Sequence, residues 1–165
     1  MGIDGAPDGT LHLPARPTVS PLRLVLDTNV WLDWLVFDDA AIAPVKAAVA
    51  SGRAVIIVDD AVMAELERVL AYPFGARTLT VEAQSKCLAE CGRVSARSNG
   101  AAIPTRSLPV CHDPDDQKFL DLAVACGATY LVTRDRDLLE LARHRDPVPP
   151  FRIVTPGELR ALLAE

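Results

Sequence analysis

Short apolar runs alternate along this chain with longer stretches in which apolar positions recur every three to four residues. The short runs are rich in Val, Ile and Leu and lack regular polar alternation, which is typical of strands buried on both faces of a sheet. Four runs are predicted to be strands, at residues 22–26, 54–58, 130–133 and 151–154. A further short strand is expected in an irregular segment, around 101–103 or 108–110.

The stretches between these runs have helical periodicity and carry residues that start helices. Thr80 and Thr155 are expected to cap helices, and Glu158 to complete a capping box with Thr155. Asp60 and Asp137 are expected to cap the helices that follow them. The predicted helices cover residues 30–35, 40–51, 60–71, 80–95, 116–126, 137–142 and the segment after Thr155.

This alternation predicts an α/β fold with a mainly parallel central sheet flanked by helices. A chain of 165 residues is expected to form one domain. Residues 1–21 are rich in Gly and Pro and lack periodicity, so we expect a flexible tail before a single domain spanning 22–165. Sites in such sheets form beyond the carboxyl ends of the strands.

Four acidic residues occupy positions near predicted strand ends or on buried helix faces. Asp27 directly follows the first strand, and Asp135 comes shortly after the third. Glu65 borders the apolar stripe of its helix, and Asp116 begins the buried face of its helix. Carboxylates near a core are costly unless something compensates their charge. A divalent metal is the simplest common compensation, and an all-oxygen site favours Mg²⁺ or Mn²⁺.

Each acid also has an ordinary structural interpretation. Asp27 and Asp116 could cap helices, and Glu65 could pair with Arg68 one turn away. The Arg-Asp-Arg-Asp run at 134–137 could be a solvated charged loop. The four signals together favour a site more strongly than any one of them alone.

Composition and charge narrow the function classes. The net charge of −5 argues against a broad basic surface for nucleic acid. It leaves room for a nucleic-acid enzyme, because a metal-neutralised acidic cluster contributes to that count. The chain has no apolar run of membrane-spanning length and no recognisable signal peptide, so a cytoplasmic location without a membrane is expected.

The cysteines favour buried, reduced thiols over a zinc site. Cys87 and Cys91 lie one helical turn apart, but no Cys-x-x-Cys pair occurs. The three histidines show no spacing that would complete a zinc site. Reduced thiols fit the cytoplasm.

Four segments carry a family resemblance, at residues 24–30, 63–70, 113–120 and 130–139. They resemble PIN-domain proteins, most closely the bacterial toxin components of toxin–antitoxin systems that are related to the VapC ribonucleases. The resemblance spans about residues 22–154 and implies a PIN-like three-layer sandwich. It also implies a Mg²⁺- or Mn²⁺-dependent endoribonuclease that hydrolyses RNA phosphodiesters.

The resemblance assigns roles to individual residues and suggests partners. The family's catalytic and metal-binding acids match Asp27, Glu65, Asp116 and Asp135. Its substrate-orienting polar positions match Asn29 and Thr133, and the charged loop offers Arg134 as a phosphate contact. The family further suggests a homodimer and a small antitoxin protein as partners, beside the RNA substrate.

Other functions are weaker or remain open. An aspartyl phosphatase of the haloacid-dehalogenase type needs a second aspartate where this chain has Asn29, and the expected pocket lacks an evident lysine. No Gly-x-Gly-x-x-Gly follows the first strand and no P-loop motif occurs, which disfavours nucleotide-binding domains. The open alternative is a non-catalytic PIN-like module that binds RNA or a protein.

Overall fold

The described residues form a central sheet of five parallel strands. The computed structural model describes residues 19–98, 108–143 and 147–165. Its strands are β1 (Leu22–Leu26), β2 (Ala54–Val58), β3 (Ser95–Arg97), β4 (Tyr130–Val132) and β5 (Arg152–Val154). They lie in the order β3-β2-β1-β4-β5, and every neighbouring pair is parallel. The predicted α/β fold with a parallel sheet is therefore confirmed, and β1 lies at its centre.

Helices cover both faces of the sheet. In the described residues they are α1 (Thr28–Leu35), α2 (Ala43–Ala50), α3 (Asp60–Leu70), α4 (Val81–Val94), α5 (Gln117–Ala125), α6 (Arg136–Leu141) and α7 (Pro156–Ala164). Right-handed crossovers place α1 to α4 on one face and α5 and α6 on the other. The contacts agree, because α1 packs on α3 and α4, whereas α5 packs on β1 and β4. This arrangement is the predicted three-layer sandwich.

The helix starts follow from local capping, with some corrections. Thr80 and Thr155 cap α4 and α7 as predicted, the second through a full capping box. Asp59 rather than Asp60 caps α3, and Asp135 rather than Asp137 caps α6. In both corrected cases the cap is the acid whose backbone is still extended, so its carboxylate can turn back to the free N–H groups of the first turn.

Further boundaries differ because short turns extend or divide the predicted helices. α1 begins at Thr28, two residues earlier than predicted, since the carboxylate of Asp27 caps it. The predicted helix 40–51 divides into a 3-10 turn at Ala40–Ile42 and α2. A second 3-10 turn, Pro114–Asp116, precedes α5.

The edge strand β3 was not predicted from the sequence. Position 101–103 lies outside the described residues, and 108–110 is not a strand. Ser95–Arg97 instead continues directly from α4 and pairs with β2. The hydroxyl of Ser95 donates to the carbonyl of Cys91 at 2.6 Å, which occupies a free acceptor at the end of α4 as the backbone becomes extended.

The cysteines behave as small apolar side chains. All four are free, and Cys87, Cys91 and Cys111 are buried as predicted. Burial raises the pKa of the Cys91 thiol to about 12, so it is protonated at neutral pH.

Two further sequence expectations were a flexible N-terminal tail and the absence of a membrane-spanning segment. The predicted tail falls, up to residue 18, outside the described residues. Across the part of the chain that the structure describes, no helix has the length and apolar character needed to cross a membrane.

Candidate active site

The four predicted acids meet at the carboxyl ends of two neighbouring strands, β1 and β4. Asp27 follows β1 directly, and Asp135 follows β4 after a short connection. Glu65 lies in the middle of α3, and Asp116 closes the 3-10 turn before α5. The other three carboxylates all act electrostatically on Asp116. The structure thus gathers the four residues into one group, called the acidic cluster below.

Asp27 is the most deeply buried member of the acidic cluster, with 4% of its surface exposed. One carboxylate oxygen accepts a hydrogen bond from the N–H of Val30 at 3.0 Å, and the other accepts one from the hydroxyl of Thr133. Burial raises the pKa of Asp27 despite these bonds, and the negative charge of Asp135 adds to the rise. Among the described residues no basic side chain forms an ion pair with Asp27. The capping role is therefore real, but no cation among the described residues offsets the charge of the ionised carboxylate.

Thr133 joins the two strand ends of the acidic cluster. It is fully buried, and its hydroxyl donates to Asp27 while accepting the backbone N–H of Asp135 at 2.9 Å. The carboxylate of Asp135 is itself the cap of α6 and accepts the N–H of Asp137 at 2.8 Å. The contacts of Thr133 hold the carboxylates in place, and its predicted role in orienting substrate stays a prediction.

Asp116 does not cap a helix. It occupies the cap position of α5, but its side chain makes no capping hydrogen bond. Asp113 instead caps the preceding turn by accepting the N–H of Asp115 at 2.9 Å. Burial raises the pKa of Asp116 to about 6, with further contributions from the carboxylates of Asp135, Asp113, Asp27 and Glu65. The capping alternative therefore fails at this position, and the side chain stands in an excess of negative charge.

Glu65 is bound through both carboxylate oxygens. One accepts the hydroxyl of Thr28 at 2.6 Å, and the other lies 3.0 Å from the ammonium of Lys118. The expected pair with Arg68 also forms, at the longer distance of 3.6 Å. The expectation that this pocket lacks a lysine was wrong. It failed because Lys118 and Glu65 lie on helices far apart in the sequence, which the sheet topology brings together.

This correction leaves the phosphatase alternative weak. A lysine is present, but the second aspartate that such an enzyme needs is still replaced by Asn29. The side chain of Asn29 is exposed in the first turn of α1, beside Asp27. This position suits contact with a substrate, a role that stays a prediction.

Arg134 is engaged away from the acidic cluster. Its Nε lies 2.9 Å from Oδ2 of Asp33, an ion pair without good hydrogen-bond geometry, and its Nη2 lies 3.4 Å from Oδ2 of Asp39. Burial raises the pKa of Asp33, and Arg134 opposes that rise. The guanidinium therefore ties the segment that carries Asp135 to α1. Its predicted contact with substrate stays a prediction.

Replacing Arg134 by alanine is expected to destabilise the protein. The side chain of Asp33 is only 14% exposed, and it would lose its nearest positive charge. Because Arg134 itself is partly exposed, we expect a loss of about 1–2 kcal/mol in the free energy of unfolding, measured by urea denaturation. Arg134→Lys should lose less, and adding Asp33→Asn to Arg134→Ala should restore most of the stability. Equal stability of Arg134→Ala and the wild type would contradict a structural role.

The donor atoms of the acidic cluster suit a divalent cation, but they do not form a finished site. In residues 19–98, 108–143 and 147–165, no three Asp, Glu, His or Cys side chains are arranged so that they could hold a metal ion. The donors are all carboxylate oxygens, which Mg²⁺ and Mn²⁺ prefer. A cation would also relieve the repulsion that raises the pKa of Asp116. The residues therefore fit such an ion chemically, through direct contacts or through water.

A cavity of about 770 Å³ lies elsewhere, at the amino ends of β4 and β5. The described residues that line it are mainly apolar, including Ala128, Pro149 and Phe151, and none of them is acidic. Its position at the opposite edge from the acidic cluster separates it from the carboxylates. The acidic cluster is therefore the stronger candidate for chemistry.

Carboxylates at the carboxyl edge of a parallel α/β sheet define a site suited to a cation and a phosphate ester. Comparison with known families agrees. The sequence profile of the PIN domain matches residues 23–137, which is more than half of the chain and includes all four acids. The chain belongs to the PIN domain family, whose members are in general nucleases. No curated protein matches it with significant sequence similarity. The narrower resemblance to toxin components stays a prediction.

Proposed function

We propose that this protein is a Mg²⁺- or Mn²⁺-dependent endoribonuclease that hydrolyses RNA phosphodiesters. The observation that carries the proposal is the environment of Asp116. Its carboxylate takes no part in capping, and burial together with four neighbouring carboxylates raises its pKa to about 6. Strongly perturbed acids in such a cluster are typical of functional sites. Membership of a family of nucleases supports the same reaction class.

The members of the acidic cluster would bind a cation in different ways. Asp27, Asp116 and Asp135 would bind it directly or through water, as their carboxylates face one another electrostatically. Glu65 would act through water, since a hydroxyl and an ammonium already occupy its two oxygens. A divalent cation in such a site supplies a nucleophile from water at neutral pH and offsets the charge that develops on the phosphate.

The surrounding side chains would orient the reactants. The bond from Thr133 fixes Asp27, and the bond from Thr28 fixes Glu65. Asn29 is exposed beside Asp27 and would contact the substrate. Arg134 would support the site indirectly through its ion pairs with α1, unless substrate draws it away from them.

We further propose that the nuclease acts in the cytoplasm as the toxin of a toxin–antitoxin pair, as a homodimer held inactive by a small antitoxin protein. The support is the resemblance of segments 24–30, 113–120 and 130–139 to such toxins. Expression of the chain alone should then arrest growth, and the product of a neighbouring gene should relieve the arrest. If cells that express the active enzyme grow normally, the toxin role is wrong, whereas the proposed nuclease activity stands.

The lack of a ready-made ligand set in the described residues favours one alternative, a PIN-like module that binds RNA or a protein without cleaving it. The two functions make opposite predictions about metal binding. A nuclease must bind a divalent cation in the acidic cluster, whereas a binding module has no such need. Metal binding is therefore the first property to measure.

Calorimetric titration with Mn²⁺ is expected to show binding that depends on the acidic cluster. The double variant Asp27→Asn, Asp116→Asn should bind more than about 100-fold more weakly than the wild type, since it loses two ligands. The control is Glu67→Gln with Glu82→Gln, which removes the same charge from exposed helix positions. This control should bind like the wild type. Absence of binding in the wild type would overturn the metal dependence and bring the binding module forward.

A further inference from the structure

A lysine reaches into the acidic cluster from α5. Lys118 lies two residues after Asp116, and its ammonium is 3.0 Å from Oε1 of Glu65. The side chain of Lys118 is 22% exposed, and that of Glu65 is 11% exposed. The stem of the lysine is thus largely covered, while the ion pair still borders solvent. An ammonium in this position is fixed by the fold rather than free on the surface.

Glu65 is itself held in place, so the pair is better ordered than a surface ion pair. The hydroxyl of Thr28 donates to its second oxygen at 2.6 Å. Thr28 is buried in the first turn of α1, directly after Asp27. Partly buried ion pairs persist when further hydrogen bonds satisfy the remaining oxygens. The hydroxyl of Thr28 therefore orients the carboxylate of Glu65, with which the ammonium of Lys118 pairs.

Lys118 places a positive charge beside the negatively charged acidic cluster. The carboxylates of Asp27, Asp116 and Asp135 make the cluster strongly negative, as the raised pKa of Asp116 reports. An anionic phosphodiester would be repelled by this field before any contact formed. A fixed ammonium beside the acids lowers that repulsion, and lysine is a common point contact for phosphate oxygens. Within the described part of the chain Glu65 is the one ion-pair partner of Lys118, and an ammonium has three donors, so a phosphate oxygen can be a second partner.

We propose that Lys118 contacts the phosphodiester backbone of the nucleic acid and that Glu65 is the positioning residue that holds its ammonium beside the acids. This inference rests on the proposed nuclease function and deepens it. The contact is to phosphate and carries no base preference. Lys118 therefore sets how strongly a strand is held in the cluster, and the sequence preference comes from other residues.

The test is binding of a fluorescent single-stranded RNA, followed by anisotropy with Ca²⁺ in place of Mg²⁺ and again in EDTA. Lys118→Met should weaken binding about tenfold for RNAs of different sequence. It should also reduce the slope of log Kd against log salt concentration by about one, the signature of one lost phosphate contact. Lys118→Arg should keep most of the affinity and the slope. In cleavage assays Lys118→Met should raise KM more than it lowers kcat.

Arg68→Met is the matched control, because Arg68 carries the same charge and lies 3.6 Å from the same oxygen of Glu65 with a side chain that is 58% exposed. It should change the salt slope less than Lys118→Met does. If Lys118→Met lowers the melting temperature, Lys118→Gln provides a second neutral variant that retains a polar end. An unchanged salt slope in folded Lys118→Met or Lys118→Gln overturns the phosphate contact and leaves Lys118 a structural partner of Glu65.

The outcomes separate this inference from the proposed function. A wild-type protein that neither binds nor cleaves RNA removes both, because no phosphodiester would then enter the site. A wild-type protein that cleaves RNA, with Lys118→Met equal to the wild type in KM and salt slope, removes the lysine contact alone. A larger KM and a shallower salt slope, both restored by Lys118→Arg, support it.

Discussion

Asp116→Asn is expected to lower the rate of metal-dependent RNA cleavage by roughly 1,000-fold while leaving the protein folded. Asp116 is the suitable residue for this test because its side chain makes no capping hydrogen bond. Removing its charge therefore removes a proposed ligand without removing a structural contact. The measurement is single-turnover cleavage of labelled RNA with Mn²⁺, with circular dichroism as the check on folding.

Asp113→Asn is the matched control for that experiment. Asp113 lies in the same turn, carries the same charge and caps the turn through the N–H of Asp115. It should lower cleavage only modestly, since it contributes to the field at Asp116 without belonging to the acidic cluster. If Asp116→Asn cleaves RNA at the wild-type rate, the assignment of the cluster as the active site is wrong.

Asp27 would give a less clear answer. Its carboxylate caps α1 and accepts the hydroxyl of Thr133, so alanine there removes structure and charge together. Asparagine keeps a side-chain oxygen for the cap and a group that can pair with the hydroxyl. A loss of activity in Asp27→Ala therefore has two explanations, whereas a loss in Asp116→Asn has one.

The stability of the metal-free protein is expected to depend on pH through Asp116. Its pKa rises from the usual 3.8 to about 6 on folding, so the ionised form is disfavoured in the folded state. This penalty is fully present above pH 6 and disappears as the pH falls towards 3.8. At pH 7.5, Asp116→Asn should therefore melt about 2–4 °C above the wild type in EDTA, a small shift because solvent screens this partly exposed group.

The prediction concerns the difference in melting temperature between Asp116→Asn and the wild type, because other groups also titrate in the same pH range. It should shrink steadily between pH 6.5 and pH 4.5 and should reverse when Mn²⁺ is added at neutral pH. Differential scanning calorimetry on both proteins across that range measures it. A melting difference that is constant with pH would show that Asp116 does not feel the repulsion of its neighbours.

The centre of the sheet could be predicted from sequence because burial on both faces leaves a plain signal. Strands β1 and β2 are continuous apolar runs, and their observed bounds equal the predicted ones. Strand β3 has no such signal, since Ser-Ala-Arg is short, lies at the edge and follows α4 without a turn. It is a strand only because β2 offers it hydrogen bonds, which no local pattern records.

The sequence predicted that the four acids lie together, but it could not predict which acids cap helices and which are available for chemistry. Position alone could not separate capping from chemistry at Asp113 and Asp116, which lie in one turn. Backbone conformation decides between them, because Asp113 is extended and can turn its carboxylate back, whereas Asp116 is already helical. The pair between Lys118 and Glu65 was equally hidden, since only the fold brings α3 and α5 together.

The hydrogen bond between Thr133 and Asp27 determines when the acidic cluster can be completed during synthesis. The two residues are separated by 106 positions, and the hydroxyl comes from the end of β4, late in the chain. A ribosome delivers Asp27 and Glu65 well before it delivers Thr133 and Asp135, and it delivers Asp116 only shortly before them. Until β4 inserts beside β1, the first carboxylate lacks its partner and the last acid is missing. If the chain cleaves RNA as proposed, it would therefore stay inactive on the ribosome at least until β4 has emerged and paired with β1.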